Sequence, residues 1–172
     1  MKNITICEYE VLSELKEKAL EWYEDNYNSS AYICARLWSD GDITYDYCDG
    51  NMCPIENDYI TIAKSDTFCS IYDVVSRDVS LVVEEQMEDM YKQSIKDDTC
   101  KYNEMRKCLD KGFMTIEDFV EVNDNEWYEE YLEETKEEII DFYDFASLDI
   151  DNTQGEAFVD FCKEHNLNVE FE

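Results

Sequence analysis

Apolar residues recur along the chain in two rhythms, and the change between them falls near residue 64. Before that point they cluster or alternate over short stretches, which is typical of β-strands, and Asp-Gly pairs, a common hairpin signal, lie between them. Beyond it they recur at three- and four-residue steps, as on the buried side of an amphipathic helix. In the N-terminal part the clustered and alternating stretches predict strands over 3–7, 31–38, 43–48 and 59–63. One segment with helical spacing lies between them and predicts a helix over 14–27.

The second rhythm predicts that most of the remaining chain is helical. Ser13 and Thr115 are expected N-caps, and Gly112 is an expected C-cap. The expected fold class is α+β, with a small antiparallel sheet from the N-terminal part plus a C-terminal strand, and a helical, strongly acidic C-terminal half. The helices are expected over 79–97, 99–111, 115–122, 124–146 and 153–165, and the last strand over 167–171.

A chain of 172 residues favours a single domain, 1–172, with a sheet-rich part over 1–64 and a helical acidic part over 65–172. Its 44 Asp and Glu against 14 Lys and Arg give a net charge of −30. Hydrophobic residues at 44% and aromatic residues at 14% exclude an acidic disordered tail, which would be poor in both. The charge also argues against direct binding of nucleic acid or of an anionic membrane, because both need basic side chains.

The chain shows neither a signal-peptide pattern nor an apolar run that approaches the length of a membrane span. We therefore expect a soluble protein in the cytoplasm of a bacterial host. The eight cysteines are interpreted as free, buried thiols, because disulfide frameworks belong to small secreted chains. A metal site and disulfides are the less favoured alternatives, so no metal is expected.

The predicted helix 124–146 is the most acidic segment. Tyr131, Leu132, Ile139 and Phe142 belong to an apolar stripe at helical spacing that is expected to be buried. Much of the remaining surface is covered by nine carboxylates, spaced at about one per 3 Å of helix axis from the 1.5 Å rise. One strand of B-DNA carries a phosphate about every 3.4 Å. These candidate partner-binding residues are Glu126, Glu129, Glu130, Glu133, Glu134, Glu137, Glu138, Asp141 and Asp144.

Like charges at this spacing destabilise a helix by a few tenths of a kcal/mol per pair, and only Lys136 interrupts them. A helix face that carries charges of one sign in spite of this destabilisation suggests a surface that binds a partner. The alternative is an ordinary solvated face of a very acidic protein, of which halophilic adaptation is the extreme form. Eight cysteines and many large aromatic residues disfavour halophilic adaptation.

Sequence motifs for catalysis are missing. Four scattered glycines cannot form a phosphate-binding loop, and no Gly-x-Ser-x-Gly elbow occurs. The single histidine, His165, is expected to have a surface or helix-capping role. Trp127 is expected either to pack in the core or to anchor an interface in place of a stacked base. The sequence therefore predicts a protein that is not an enzyme and that needs no cofactor.

The segment Leu12-Ser-Glu-Leu-Lys-Glu-Lys-Ala-Leu-Glu-Trp-Tyr23 resembles the opening of small acidic proteins encoded by tailed phages and mobile elements. The later Leu37-Trp-Ser-Asp-Gly-Asp42 is similar to their Trp/Tyr-Ser-x-Gly-Asp segment. The resemblance covers residues 1–45 and implies a phage or mobile-element origin. By charge alone, the C-terminal half is similar to nucleic-acid mimics among antirestriction and anti-CRISPR proteins.

Together these features predict an inhibitor of a host defence nuclease, either a CRISPR effector or a restriction enzyme. As a nucleic-acid mimic, it would occupy a basic DNA- or RNA-binding groove. The alternative is an acidic antitoxin-like or assembly protein that binds one basic partner without competing with nucleic acid.

Overall fold

The chain forms two compact units in a computed structural model that describes residues 1–49, 58–149 and 153–172. The sheet unit consists of Met1–Asp73 and Asp144–Glu172, and the helical unit consists of Val74–Tyr143. The predicted α+β class is confirmed, with an antiparallel sheet in the N-terminal part and a strand near residue 170. That the whole chain acts as one domain stays a prediction.

Two sheets form the framework of the sheet unit. A four-stranded antiparallel sheet has the order β3-β2-β4-β5, and a parallel two-stranded sheet pairs β1 with β6. The predicted C-terminal strand is therefore present, and its partner is β1. The strands are β1 (Lys2–Ile6), β2 (Tyr32–Trp38), β3 (Ile43–Cys48), β4 (Tyr59–Ser65), β5 (Ala146–Leu148) and β6 (Leu167–Phe171).

The turn between β2 and β3 follows the Asp-Gly prediction. Gly41 has a φ of 88°, a conformation that glycine adopts without steric cost. Trp38 N donates to Asp42 O at 2.9 Å, and Asp42 N donates to the Asp40 side chain at 3.0 Å. The second predicted turn, over residues 49–51, extends into residues 50–57, which lie outside the described ranges.

The first helix, α1 (Glu8–Trp22), begins earlier than the predicted 14–27, and Ser13 lies inside it rather than at its N-cap. Glu8 N donates to Glu172 O at 2.8 Å, so the helix starts directly where the β1–β6 pairing ends. Acidic residues in the first turn favour this start, because they face the positive end of the helix dipole. The side chain of Asn26 caps the other end by donating to Trp22 O at 2.8 Å.

The longest helix, α2 (Phe68–Ser94), also begins well before the predicted 79–97. Phe68 and Ile71 in its first turns are fully buried, and both belong to the sheet unit. Val75 continues the same spacing. Burial of this apolar spacing explains the early start.

Local capping signals define the following helices, α3 (Thr99–Asp110) and α4 (Ile116–Asn123). Thr115 and Asp118 form a reciprocal capping box, with both hydrogen bonds at 3.2 Å. Gly112 has a φ of 67°, as expected of a helix-terminating glycine. The predictions for Thr115 and Gly112 are therefore confirmed.

The next helices are α5 (Asn125–Phe142) and α6 (Glu156–Glu164). None of the described helices is long and apolar enough to cross a membrane. His165 is the C-cap residue of α6, which agrees with its predicted role, and its ring lies 4.7 Å from that of Phe161.

The helical unit has its own hydrophobic core, to which α2 to α5 contribute. Its buried members are Met87, Tyr91, Ile95, Met105, Phe119, Val120 and Tyr131.

We predict that Met105→Ala lowers the free energy of unfolding by about 2–5 kcal/mol, because it leaves a cavity in the core of the helical unit. Met105 is fully buried. Met90 is 52% exposed, so Met90→Ala is the matched control and should change stability by no more than about 0.5 kcal/mol. Urea denaturation followed by circular dichroism measures both variants. Equal losses for the two would contradict this description of the core.

Candidate partner-binding surface

The start of α5 is fixed by one carboxylate. Asp124 lies between α4 and α5, and its Oδ2 accepts hydrogen bonds from Lys101 Nζ at 2.5 Å and from Tyr91 Oη at 3.3 Å. Burial, together with this negative charge, raises the pKa of Tyr91 to about 12, so its hydroxyl stays a donor at neutral pH. Asp124 therefore connects α2, α3 and the first turn of α5.

One side of α5 is buried along its length. Tyr131, Thr135 and Ile139 follow each other at four-residue steps, and all three are buried. This confirms the predicted stripe at Tyr131 and Ile139, whereas Leu132, which was also expected in it, is only half-buried. Phe142 was also expected in the stripe, but its side chain is 82% exposed, because the helix ends at this residue.

The opposite side of α5 carries eight exposed carboxylates, which we call the acidic face. At 3.6 residues per turn they occupy about half of the helix circumference. Within the described residues, none of them forms an ion pair or a hydrogen bond with another side chain. The acidic face consists of Glu126, Glu129, Glu130, Glu133, Glu134, Glu137, Glu138 and Asp141.

Five of these carboxylates form a straight row along the middle of the acidic face. They extend over about 22 Å of helix axis, with a mean separation of about 5.6 Å, from the 1.5 Å rise per residue. The other three lie on either side of this row. The central row is Glu126, Glu130, Glu133, Glu137 and Asp141.

The ninth predicted residue, Asp144, does not belong to the acidic face. It is exposed, but α5 ends at Phe142, Tyr143 is extended, and Phe145 has a φ of 52°. The predicted helix 124–146 was thus too long. Residues from Ala146 instead form β5 and pair with β4, and Asp66 N donates to Phe145 O at 2.9 Å. This long-range pairing overrides a sequence that contains no helix breaker.

A groove of about 360 Å³ lies along one border of the acidic face. Trp127 is half-buried in it, stacked on Tyr131 at 5.1 Å and edge-on to Tyr91 at 4.9 Å. These contacts favour the core-packing role for Trp127, although one side of the ring reaches the groove. The groove is lined by Met90, Gln93, Ser94, Trp127, Glu130, Tyr131 and Glu134.

The groove was missed from the sequence because three of its seven lining residues come from the C-terminal end of α2. The other four belong to α5 and form two pairs at a four-residue step, and this spacing does not reveal which helix lies beside them.

A hydrogen bond links α5 to α4: Tyr128 Oη donates to Glu117 Oε1 at 2.8 Å. Burial and this carboxylate raise the pKa of Tyr128 to about 12. Tyr128 is therefore a hydrogen-bond donor at neutral pH that ties α5 to α4.

The described residues contain no candidate metal site. In the ranges that the structure covers, no group of three or more His, Cys, Asp or Glu side chains is placed to hold a metal ion. No family model, curated protein or solved structure matches the chain significantly. The acidic face and its bordering groove are therefore the candidate functional site on their own geometry.

We predict that replacing Glu130, Glu133 and Glu137 by Gln, and Asp141 by Asn, raises the free energy of unfolding by about 1 kcal/mol. The reason is that several like-charge pairs at three- and four-residue steps are relieved, each worth a few tenths of a kcal/mol. Thermal denaturation at low and at high salt measures the gain, which should shrink with salt as the exposed charges are screened. Lower stability in the variant would show that these carboxylates make favourable contacts.

Proposed function

We propose that the protein is a non-catalytic inhibitor, encoded by a phage or mobile element, that acts on a host defence nuclease. In this proposal it works in the bacterial cytoplasm and presents the acidic face to a basic groove that normally holds DNA or RNA. The target would be a CRISPR effector or a restriction enzyme. The observation that carries the proposal is the row of exposed carboxylates on α5 that have no basic partner in the described residues.

The distribution of basic residues supports a working surface rather than a generally acidic exterior. The helical unit holds 21 acidic and 8 basic side chains, but only one of the basic residues, Lys136, lies on α5. Exposed faces without a binding role usually interleave both signs, which removes repulsion and increases solubility. On α2 and α3, ion pairs of this kind are present, such as Lys92 with Glu88 and Arg106 with Asp110.

The spacing of the carboxylates suits a partner that binds a polyanion. Fixed negative charges at helix spacing attract a basic groove over a long range and raise the association rate, with a steep dependence on ionic strength. The groove beside Trp127 adds an apolar border where a partner side chain is desolvated. The resemblance of Leu12–Tyr23 to phage-encoded proteins supports the proposed origin.

We predict that the wild-type protein, immobilised and exposed to bacterial lysate, retains a basic nucleic-acid-binding protein that mass spectrometry identifies. The fourfold α5 variant carries Glu130→Gln, Glu133→Gln, Glu137→Gln and Asp141→Asn. It should lose at least about 100-fold in affinity for that purified partner, because each close charge pair contributes about 1.5 kcal/mol or more. The matched control makes the same kinds of substitution, Glu to Gln and Asp to Asn, on α2 and α3. Its four positions are Glu84, Glu85, Asp89 and Glu104, all of them exposed.

The control variant has the same net charge as the α5 variant, so it separates a specific surface from bulk charge. It should bind within about threefold of wild type, because charges outside the interface act mainly through screened long-range attraction. If both variants weaken binding equally, the interaction depends on net charge, and the acidic face has no special role.

We further predict that excess duplex DNA or guide RNA blocks formation of the complex, since both ligands need the same basic groove. Fluorescence anisotropy of the labelled protein, with nucleic acid titrated into the purified partner, measures this competition. Simultaneous binding of protein and nucleic acid would instead favour an antitoxin-like or assembly protein, which neutralises a basic partner elsewhere on its surface.

A further inference from the structure

The face of the sheet that carries the even-numbered residues of β2 brings two thiols and a guanidinium together. In the antiparallel register Cys34 is opposite Asp46, and Tyr32 is opposite Cys48, so Cys34, Arg36, Asp46 and Cys48 share one face. Cys34 is 1% exposed and Cys48 is 7% exposed. The seven described cysteines are free, and these two are the buried ones among them.

Arg36 is held in place from several directions. Its Nη1 lies 3.5 Å from Asp46 Oδ2, and its Cζ lies 4.4 Å from the centre of the Tyr59 ring. Asp46 is itself positioned by Thr44 Oγ1 at 2.7 Å, which accepts from Trp38 Nε1 at 2.8 Å. The orientation of the guanidinium is therefore fixed before any thiol ionises.

The other amino group of Arg36 points at one thiol. Arg36 Nη2 donates to Cys48 Sγ at 3.4 Å. Both sulfur atoms also lie close to Asp46 O, at 3.5 Å for Cys34 and 3.6 Å for Cys48, so a protonated thiol donates there. Once Cys48 loses its proton, its sulfur accepts from Arg36 and from the thiol of Cys34.

These hydrogen bonds separate the acidities of the two thiols. The hydrogen bond from Cys34, followed by the charge and hydrogen bond of Arg36, lowers the pKa of Cys48 to about 7 against the opposing effect of burial. The same hydrogen bond and burial raise the pKa of Cys34 far above its ordinary value. Arg36 Nη2 donates to the sulfur of Cys48, so of the two thiols Cys48 is the one that ionises first.

We propose that Cys48 is a thiolate nucleophile and the site of S-thiolation by small disulfides. Cys48 Sγ attacks one sulfur of the disulfide, a new S–S bond forms to Cys48, and the old S–S bond breaks. The second half of the reagent leaves as a thiolate that takes a proton from water, and no other oxidant is needed. Cys34 keeps its proton and positions the Cys48 sulfur, and the site is independent of the proposed function of α5.

The test treats the full chain with 2-hydroxyethyl disulfide, a small neutral probe that the net charge of −30 does not repel. Peptide mapping by mass spectrometry follows the rate of mixed-disulfide formation at each cysteine against pH. We expect the rate at Cys48 to reach half of its plateau near pH 7. The exposed Cys100 is the internal control, which shows that the probe is active at each pH.

Several other ionisable groups lie near the two thiols. Burial raises the pKa of Tyr32, and the hydrogen bond to Asp149 raises the pKa of Lys64, so neither side chain loses its proton near pH 7. The pKa of Arg36 is raised by the nearby thiols in spite of its burial, so the guanidinium stays charged. The groups facing the two thiols are Tyr32, Cys34, Arg36, Asp46, Tyr59 and Lys64.

Arg36→Gln removes the guanidinium and should move the Cys48 midpoint up by about one pH unit, while the profile of Cys100 stays unchanged. Circular dichroism confirms that the variant is folded, and the wild-type profile is decisive by itself if it is not. A Cys48 midpoint at the ordinary thiol value would overturn the proposal. So would a failure of the probe to modify Cys48 at any pH at which Cys100 reacts.

Discussion

The buried stripe of α5 is the contact on which the helical unit depends. A free helix of this composition would be marginal, because helix formation in water is only weakly favourable and like charges oppose it further. Packing of Tyr131 into the core of the helical unit, together with the burial of Ile139, offsets that repulsion. The same packing fixes the backbone, and with it the spacing of the positions that carry the carboxylates. For a partner of the proposed kind, the charge pattern would already be in place, with little ordering cost on this side of the interface.

Local signals were the part of the fold that could be predicted from the sequence. The Asp40-Gly41 turn, the Thr115 N-cap and the buried spacing of α5 depend on residues a few positions apart, and all are present as expected. Positions within an amphipathic helix follow from its period, so eight of the nine candidate carboxylates lie together on one face. The fold class followed from the same local patterns.

Long-range pairing is what the sequence alone could not reveal. The end of α5 and the existence of β5 depend on pairing with β4, about 80 positions earlier, and α1 begins where β1 stops pairing with β6. Cys34 and Cys48 are irregularly spaced, so they show no motif. Alternation along β2 and along β3 shows which residues of each strand share a face with each cysteine. Only the pairing register of the two strands shows that Cys34 and Cys48 lie on the same face of the sheet.

The helical unit is an insertion within the sheet unit, since the chain leaves the sheet unit after Asp73 and re-enters it at Asp144. During translation β4 is complete before its neighbour β5 exists, and a ribosome needs roughly 4 to 16 seconds to make the segment between them. Asn3 and Asn168, side by side in the parallel sheet, are 165 positions apart. Local helices form far faster than such pairings. The helical unit therefore has the shorter-range contacts and the earlier opportunity to fold, and until β5 and β6 are made, β4 and β1 of the sheet unit expose unpaired strand edges.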